Sequence, residues 1–276
     1  MILRRIIALL AALSLAACAA QPARLASAPP PKPDWAFQKS DLPVDPAFRF
    51  GRLANGMRFI LRRNATPPGT ALVRMNIAAG SLDEADNERG FAHFVEHMAF
   101  NGSAHVPEGE MVKLLEREGL AFGADTNAQT SFEHTLYLLD LPRADPKLLD
   151  TALMIMRETA SELTFDPAAV ARERGVVLSE LRDGQGYALD NFKDQMAFLH
   201  PKAHYPQRLP IGTEASLNAA SAAALKSFWM RHYVPANAVL MIVGDFDPAV
   251  AEAALRAPSP IGSPPRPRPA PIRARS

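Results

Sequence analysis

Two histidines and a glutamate stand together in the pentapeptide His93-Phe94-Val95-Glu96-His97. In a helix, His93 and His97 lie one turn apart on the same face, so both imidazoles can reach one metal ion. Imidazole suits zinc, and catalytic zinc sites use three protein ligands and keep one position for water. Glu96 lies near the same face and is placed to accept a proton from a water molecule that the metal makes more acidic.

The order H-x-x-E-H reverses the commoner H-E-x-x-H and is the signature of the inverzincin peptidases. Five residues are a short pattern. A helix that carries two histidines and a glutamate by chance has the same pattern, and the pentapeptide alone leaves that alternative open.

A third ligand is expected from the helix predicted over 168–183. Glu173 and Glu180 are seven residues apart, which is about two turns, so their carboxylates share a face. One of them can bind the metal while the other supports the site through hydrogen bonds. In the alternative reading both are solvated glutamates paired with neighbouring arginines, namely Arg172, Arg174 and Arg182.

The elements that must position these residues alternate between strands and helices. Two runs of alternating polarity flank Asn55-Gly56, which is a strong hairpin signal. Strands are predicted at 48–53, 57–62, 71–79, 135–141 and 239–243, and helices at 88–100, 108–118, 145–162, 167–183 and 219–233 and from Pro248. This order predicts an α+β fold in which an antiparallel or mixed sheet packs on helices.

Six ordered segments resemble the pitrilysin/insulinase family of zinc peptidases, an M16-like inverzincin family. The resemblance covers roughly residues 45–256, in the catalytic half of such proteins. Its segments are Gly90–Gly102, Phe122–Ser131, Glu173–Glu180, Pro210–Thr213, Tyr233–Asn237 and Val243–Pro248.

The resemblance implies a role for each residue of the predicted site. His93 and His97 become ligands of one Zn²⁺ ion, and Glu96 becomes the catalytic base. Glu180, the second glutamate of the matching pair, becomes the third ligand. Glu173 then supports the ligands through hydrogen bonds.

The resemblance also implies how substrates bind. Asn127 and Ala128 lie in the segment similar to the substrate-binding edge strand of the family, where a peptide adds to the sheet through its backbone. The expected activity is a zinc-dependent endopeptidase that hydrolyses peptides or unfolded protein segments with metal-activated water.

In this family the catalytic domain is normally followed by a similar domain without the metal motif, on the same chain or on another. The expected partner is therefore a second M16-like half, either another chain or a second copy. The alternative is a zinc-binding half with weak catalysis, which acts only as a subunit or fragment of a two-half peptidase.

The N-terminus resembles a bacterial lipoprotein signal. Arg4 and Arg5 precede an apolar run at 6–17, which is too short to span a bilayer and ends at Cys18, the single cysteine of the chain. Residues 1–18 are predicted to be a signal peptide whose lipobox cysteine, Cys18, is lipidated. The alternative is an ordinary signal peptide.

The remaining boundaries follow from composition. Residues 19–45 are predicted to be a Pro/Ala-rich tether, 46–256 the catalytic domain, and 257–276 a Pro/Arg-rich tail, either native and disordered or the product of truncation. Ala19 favours the outer membrane of a Gram-negative cell envelope, with the anchored protein facing the periplasm. The 30 basic and 29 acidic residues give a net charge of +1, which argues against nucleic-acid binding.

Overall fold

A computed structural model describes residues 35–121 and 123–257. The predicted signal peptide with Cys18 lies outside the described residues, as do most of the tether and nearly all of the tail. The chain divides into two units, Met1–Pro43 and Val44–Ser276.

The described part of the first unit contains a short 3₁₀ helix, Ala36–Lys39. The side chain of Gln38 accepts a hydrogen bond from the backbone N–H of Trp35 at 3.1 Å and closes this turn. This turn lies within the range 19–45 that is predicted to be a tether.

The second unit is built on one six-stranded mixed sheet. Its strands are β1 (Phe48–Arg52), β2 (Arg58–Arg63), β3 (Ala71–Ile77), β4 (Thr126–Thr130), β5 (Thr135–Leu141) and β6 (Ala238–Gly244). The order across the sheet is β1-β2-β6-β3-β5-β4. The β2–β6 pair is parallel and the other pairs are antiparallel. β4 therefore lies at one edge of the sheet, paired with β5 alone.

Helices cover one face of this sheet. Burial alternates along β2, β3, β5 and β6, so every second side chain enters the core. The helices are α1 (Phe91–Met98), α2 (Glu110–Arg117), α3 (Pro146–Ser161), α4 (Pro167–Asp183), α5 (Tyr187–Leu199), α6 (Glu214–Ala219), α7 (Ala222–His232) and α8 (Pro248–Arg256). The predicted α+β class with a mixed sheet packed on helices is confirmed.

The predicted elements recur with small shifts at their ends. The hairpin at Asn55-Gly56 is present, with Gly56 at a φ of 97°. The predicted helix at 219–233 is shorter, and a separate helix, α6, precedes it. Helix α5 was not predicted, although Leu189, Phe192, Met196 and Leu199 recur at the three- and four-residue spacing of a helix; none of its residues is buried.

No helix within the described residues combines the length and the apolar character needed to cross a membrane.

Candidate metal centre

The pentapeptide lies on α1, whose start is fixed by tight backbone packing. Gly90 precedes the helix at a φ of 89°, a conformation that favours glycine. A Cβ atom on Gly212 would lie 2.6 Å from the Cα of Gly90, so both positions need glycine for this close approach. The segment Pro210–Thr213 thus packs against the N-terminus of α1.

Glu84 anchors the same helix end. Its carboxylate accepts hydrogen bonds from the backbone N–H groups of Gly90 at 3.0 Å and Ala92 at 2.8 Å. These are N–H groups that the first turn of a helix leaves without a partner, and the two carboxyl oxygens of Glu84 satisfy them. Sequence analysis did not identify Glu84; an acidic residue shortly before a helix was the one available signal.

The pKa of Glu84 leads to a pH-dependent prediction. Burial raises the pKa of Glu84 to about 8, although the backbone hydrogen bonds and the charge of Arg208 act to lower this pKa. Between pH 4.5 and 8 the carboxyl group of Glu84 is ionised in the unfolded chain but keeps its proton in the folded chain. Its contribution to the stability of the folded chain is therefore complete below pH 4.5 and is lost by pH 8. We expect the unfolding free energy of the parent to fall over this range relative to Glu84→Gln. Urea unfolding at pH 5, 6.5 and 8 tests this.

The expected difference is a few kcal/mol at most, since one pKa unit corresponds to about 1.4 kcal/mol. Glu110→Gln is the matched control, because Glu110 also lies at the start of a helix but is solvated. Parallel pH profiles for the parent and Glu84→Gln would contradict the prediction.

Three side-chain atoms converge between α1 and α4. The Nε2 atoms of His93 and His97 are 3.1 Å apart, and Oε2 of Glu180 lies 3.6 Å and 3.5 Å from them. Ligand atoms about 2.1 Å from a tetrahedral zinc ion are about 3.4 Å apart. The triangle therefore has the size and donor set of a three-residue zinc site.

The two imidazoles differ in how they are held. Nδ1 of His97 lies 2.7 Å from Oε1 of Glu173. In the tautomer whose Nδ1–H donates this hydrogen bond, Nε2 keeps a lone pair toward His93 and Glu180. Burial alone would raise the pKa of Glu173, but the hydrogen bond and charge of His97, together with Asn101 and His93, outweigh it and the pKa is lowered. Nδ1 of His93 is buried and has no partner among the described residues. Burial and the neighbouring His97 lower the pKa of His93 to about 4, so it is neutral and able to bind a metal.

The arginines of α4 do not pair with the two glutamates as the alternative reading required. Arg172 donates to Glu108, in the turn before α2, at 2.5 Å and 2.7 Å. Arg174 donates to the carbonyl oxygens of Leu217 and Ala220. These two arginines are thus engaged elsewhere, while Glu173 and Glu180 face the histidines.

Glu96 is buried beside the triangle, with 7% of its surface exposed. Its Oε2 accepts a hydrogen bond of 2.5 Å from the hydroxyl of Thr130, the last residue of β4. Burial raises the pKa of Glu96, and Thr130 and His97 lower it in part. Thr130 lay in a segment that resembles the family, but its contact with Glu96 could not be predicted because it joins residues 34 positions apart.

One side of the site is open to solvent. The side chain of Glu180 is 46% exposed, against 16% for His93 and 15% for His97. The edge strand β4 lies beside α1, and on it Asn127 is exposed while Ala128 is partly buried. Oδ1 of Asn127 accepts a hydrogen bond from the N–H of Ala128 at 2.9 Å.

Comparisons with known proteins agree with this architecture. The sequence profile of insulinase (peptidase family M16) matches residues 59–209, and that of the peptidase M16 inactive domain matches 219–272. The probable zinc protease PqqL of Haemophilus influenzae is 37% identical over 208 residues, covering 75% of this chain and 22% of that protein. The chloroplastic stromal processing peptidase of Pisum sativum is 35% identical over 215 residues, covering 76% of this chain and 16% of that protein.

A solved structure extends the likeness to three dimensions. The first half of the periplasmic protease PqqL from Escherichia coli superposes with a TM-score of 0.75 at 36% identity, covering 78% of this chain and 46% of that one. The chain spans about a fifth of the length of the full PqqL sequences that it matches. The matched profile, the site and the shared fold together show that this chain belongs to the insulinase family of peptidases, family M16.

Proposed function

We propose that this chain carries the catalytic site of a zinc-dependent endopeptidase. The observation that carries the proposal is the triangle of His93, His97 and Glu180, whose ligand atoms lie 3.1 to 3.6 Å apart beside the buried carboxylate of Glu96. The names of its relatives, a probable zinc protease and a processing peptidase, support the same chemistry.

Each residue has a chemical task in this proposal. His93, His97 and Glu180 would hold Zn²⁺, which lowers the pKa of water and polarises a carbonyl oxygen when bound. Glu96 accepts the proton that the water loses as its oxygen bonds to the peptide carbon. It then delivers that proton to the departing amide nitrogen as the C–N bond breaks. Glu173 keeps the ring of His97 oriented.

The edge of the sheet supports a peptide-binding role for β4. The N–H of Ser131 donates to the carbonyl of His134, and hydrogen-bonded pairs alternate along an antiparallel ladder. By this alternation Asn127 and Gln129 bond to β5, and the backbone of Ala128 points to the free edge. An extended peptide can add there through its backbone, which favours shape over sequence and hence broad specificity for peptides and unfolded segments.

The cellular setting is also proposed. The Escherichia coli structure is titled a periplasmic protease, which supports a periplasmic location in a Gram-negative cell. Lipidation at Cys18, the outer membrane and the domain limits at 18, 45 and 256 rest on sequence alone. The open side of the site near Glu180 favours a second M16-like half, on this or another chain, as its cover.

Metal removal tests the proposed function directly. We expect the zinc-loaded full chain to cleave a quenched, unstructured peptide, to lose this activity with a chelator, and to regain it when zinc is added back. The measurement is cleavage rate against bound zinc per chain, with rate and zinc rising together. A chain that binds one zinc ion and cuts nothing is the catalytically weak half, and a chain that binds no zinc overturns the proposal.

A further inference from the structure

Thr130 connects the edge strand to the proposed base. Its side chain leaves β4 toward α1, and its hydroxyl donates to Oε2 of Glu96 at 2.5 Å. Charge-assisted hydrogen bonds of this kind are among the strong ones in proteins. One carboxylate oxygen of Glu96 is thus engaged, and Oε1 is left to accept a proton.

The same strand carries the free backbone edge. Thr130 is two residues beyond Ala128, so the two residues share an orientation in the strand. Ala128 lies opposite Tyr137 in the β4–β5 register, and Thr130 lies opposite Thr135. A peptide that adds to this edge therefore contacts the strand that holds the base.

We propose that Thr130 is a positioning residue, which fixes the Glu96 carboxylate so that one oxygen faces the reacting water. It thereby links the peptide-binding edge to the base. The inference rests on the proposed function for its catalytic meaning. The orientation of Glu96 that it asserts can be measured without any cleavage.

Two substitutions at this position separate positioning from packing. Thr130→Val keeps the shape and removes the hydroxyl, whereas Thr130→Ser keeps the hydroxyl and removes a methyl group. We expect kcat of the valine variant to fall on the order of 10 to 100-fold with KM and bound zinc unchanged, as an effect confined to the transition state requires. The serine variant should recover kcat to within about threefold.

Thr126→Val is the matched control. Thr126 lies on the same side of β4, and its buried hydroxyl oxygen has no hydrogen-bond partner within the described residues. This variant should leave kcat unchanged. Equal losses in the valine and serine variants at position 130, or a rise in KM alone, would overturn the positioning role.

A second measurement reports on the Glu96 carboxylate and does not depend on cleavage activity. The ¹³C carboxyl resonance of Glu96 in the zinc-loaded full chain is identified by its loss in Glu96→Gln. Thr130→Val should shift this resonance, Thr130→Ser should restore it, and Thr126→Val should not move it. An unmoved resonance in Thr130→Val overturns the inference. A shifted resonance in a chain that cleaves nothing supports the contact and counts against the peptidase proposal instead.

Discussion

Glu96→Gln is expected to lower kcat by roughly 10² to 10⁴-fold, the usual contribution of a general base, while KM and bound zinc remain at the parental level. The amide has nearly the shape of the carboxylate and can still accept the hydrogen bond from Thr130. It cannot take up a proton from water at neutral pH. The loss therefore isolates proton transfer from folding and metal binding.

Steady-state kinetics on a quenched peptide, with zinc measured per chain, tests this expectation. Glu116→Gln is the control, because Glu116 is an exposed glutamate of α2 and makes no contact with the site. A Glu96→Gln protein that retains more than about a tenth of the parental kcat would exclude Glu96 as the base, since general-base contributions begin near 10²-fold.

The sheet and most helices could be predicted because each carries a local signal. Asn55-Gly56 marks the β1–β2 hairpin, and Asp166 before Pro167 marks the start of α4, where its carboxylate accepts N–H groups of the first turn. The helix predicted from residue 88 begins only at Phe91. Gly90 adopts positive φ there, and a 3₁₀ turn, Asp86–Glu88, precedes it. Such conformations depend on packing against Gly212, which is remote in sequence.

Helix α5 was not predicted, and its exposure sets it apart from the other helices. Its apolar side chains include Tyr187 and Phe198, which are 86% and 84% exposed. Leu189, Phe192 and Met196 nevertheless lie three and four residues apart, so a helical signal was available in the sequence of this segment.

The site also contains residues that could be predicted from local spacing and residues that could not. The helical spacing of His93 and His97 is local, so the sequence predicts their shared face. The choice of Glu180 over Glu173 as the proposed third ligand rests on the resemblance, and the positions of the two carboxylates are consistent with it. Glu173 contacts Nδ1 of His97, whereas Glu180 faces Nε2 of both histidines.

This geometry predicts unequal effects of the two glutamates on zinc affinity. Glu180→Ala removes a proposed ligand and should raise the zinc dissociation constant by about 10³-fold or more, equivalent to about 4 kcal/mol. Glu173→Ala removes only the acceptor that orients His97, and losses of about 10 to 100-fold are typical of such supporting residues. Asp183→Ala, an exposed carboxylate at the end of α4, should have no effect.

Competition with a chromophoric chelator on the full chain measures all three constants. The ranking is decisive because the two glutamates lie on one helix and face different ring nitrogens of His97. Equal losses would mean that zinc responds only to the local negative charge. A larger loss for Glu173→Ala would require His97 to turn so that Nδ1 faces the ion, which the 3.1 Å approach of the two Nε2 atoms opposes.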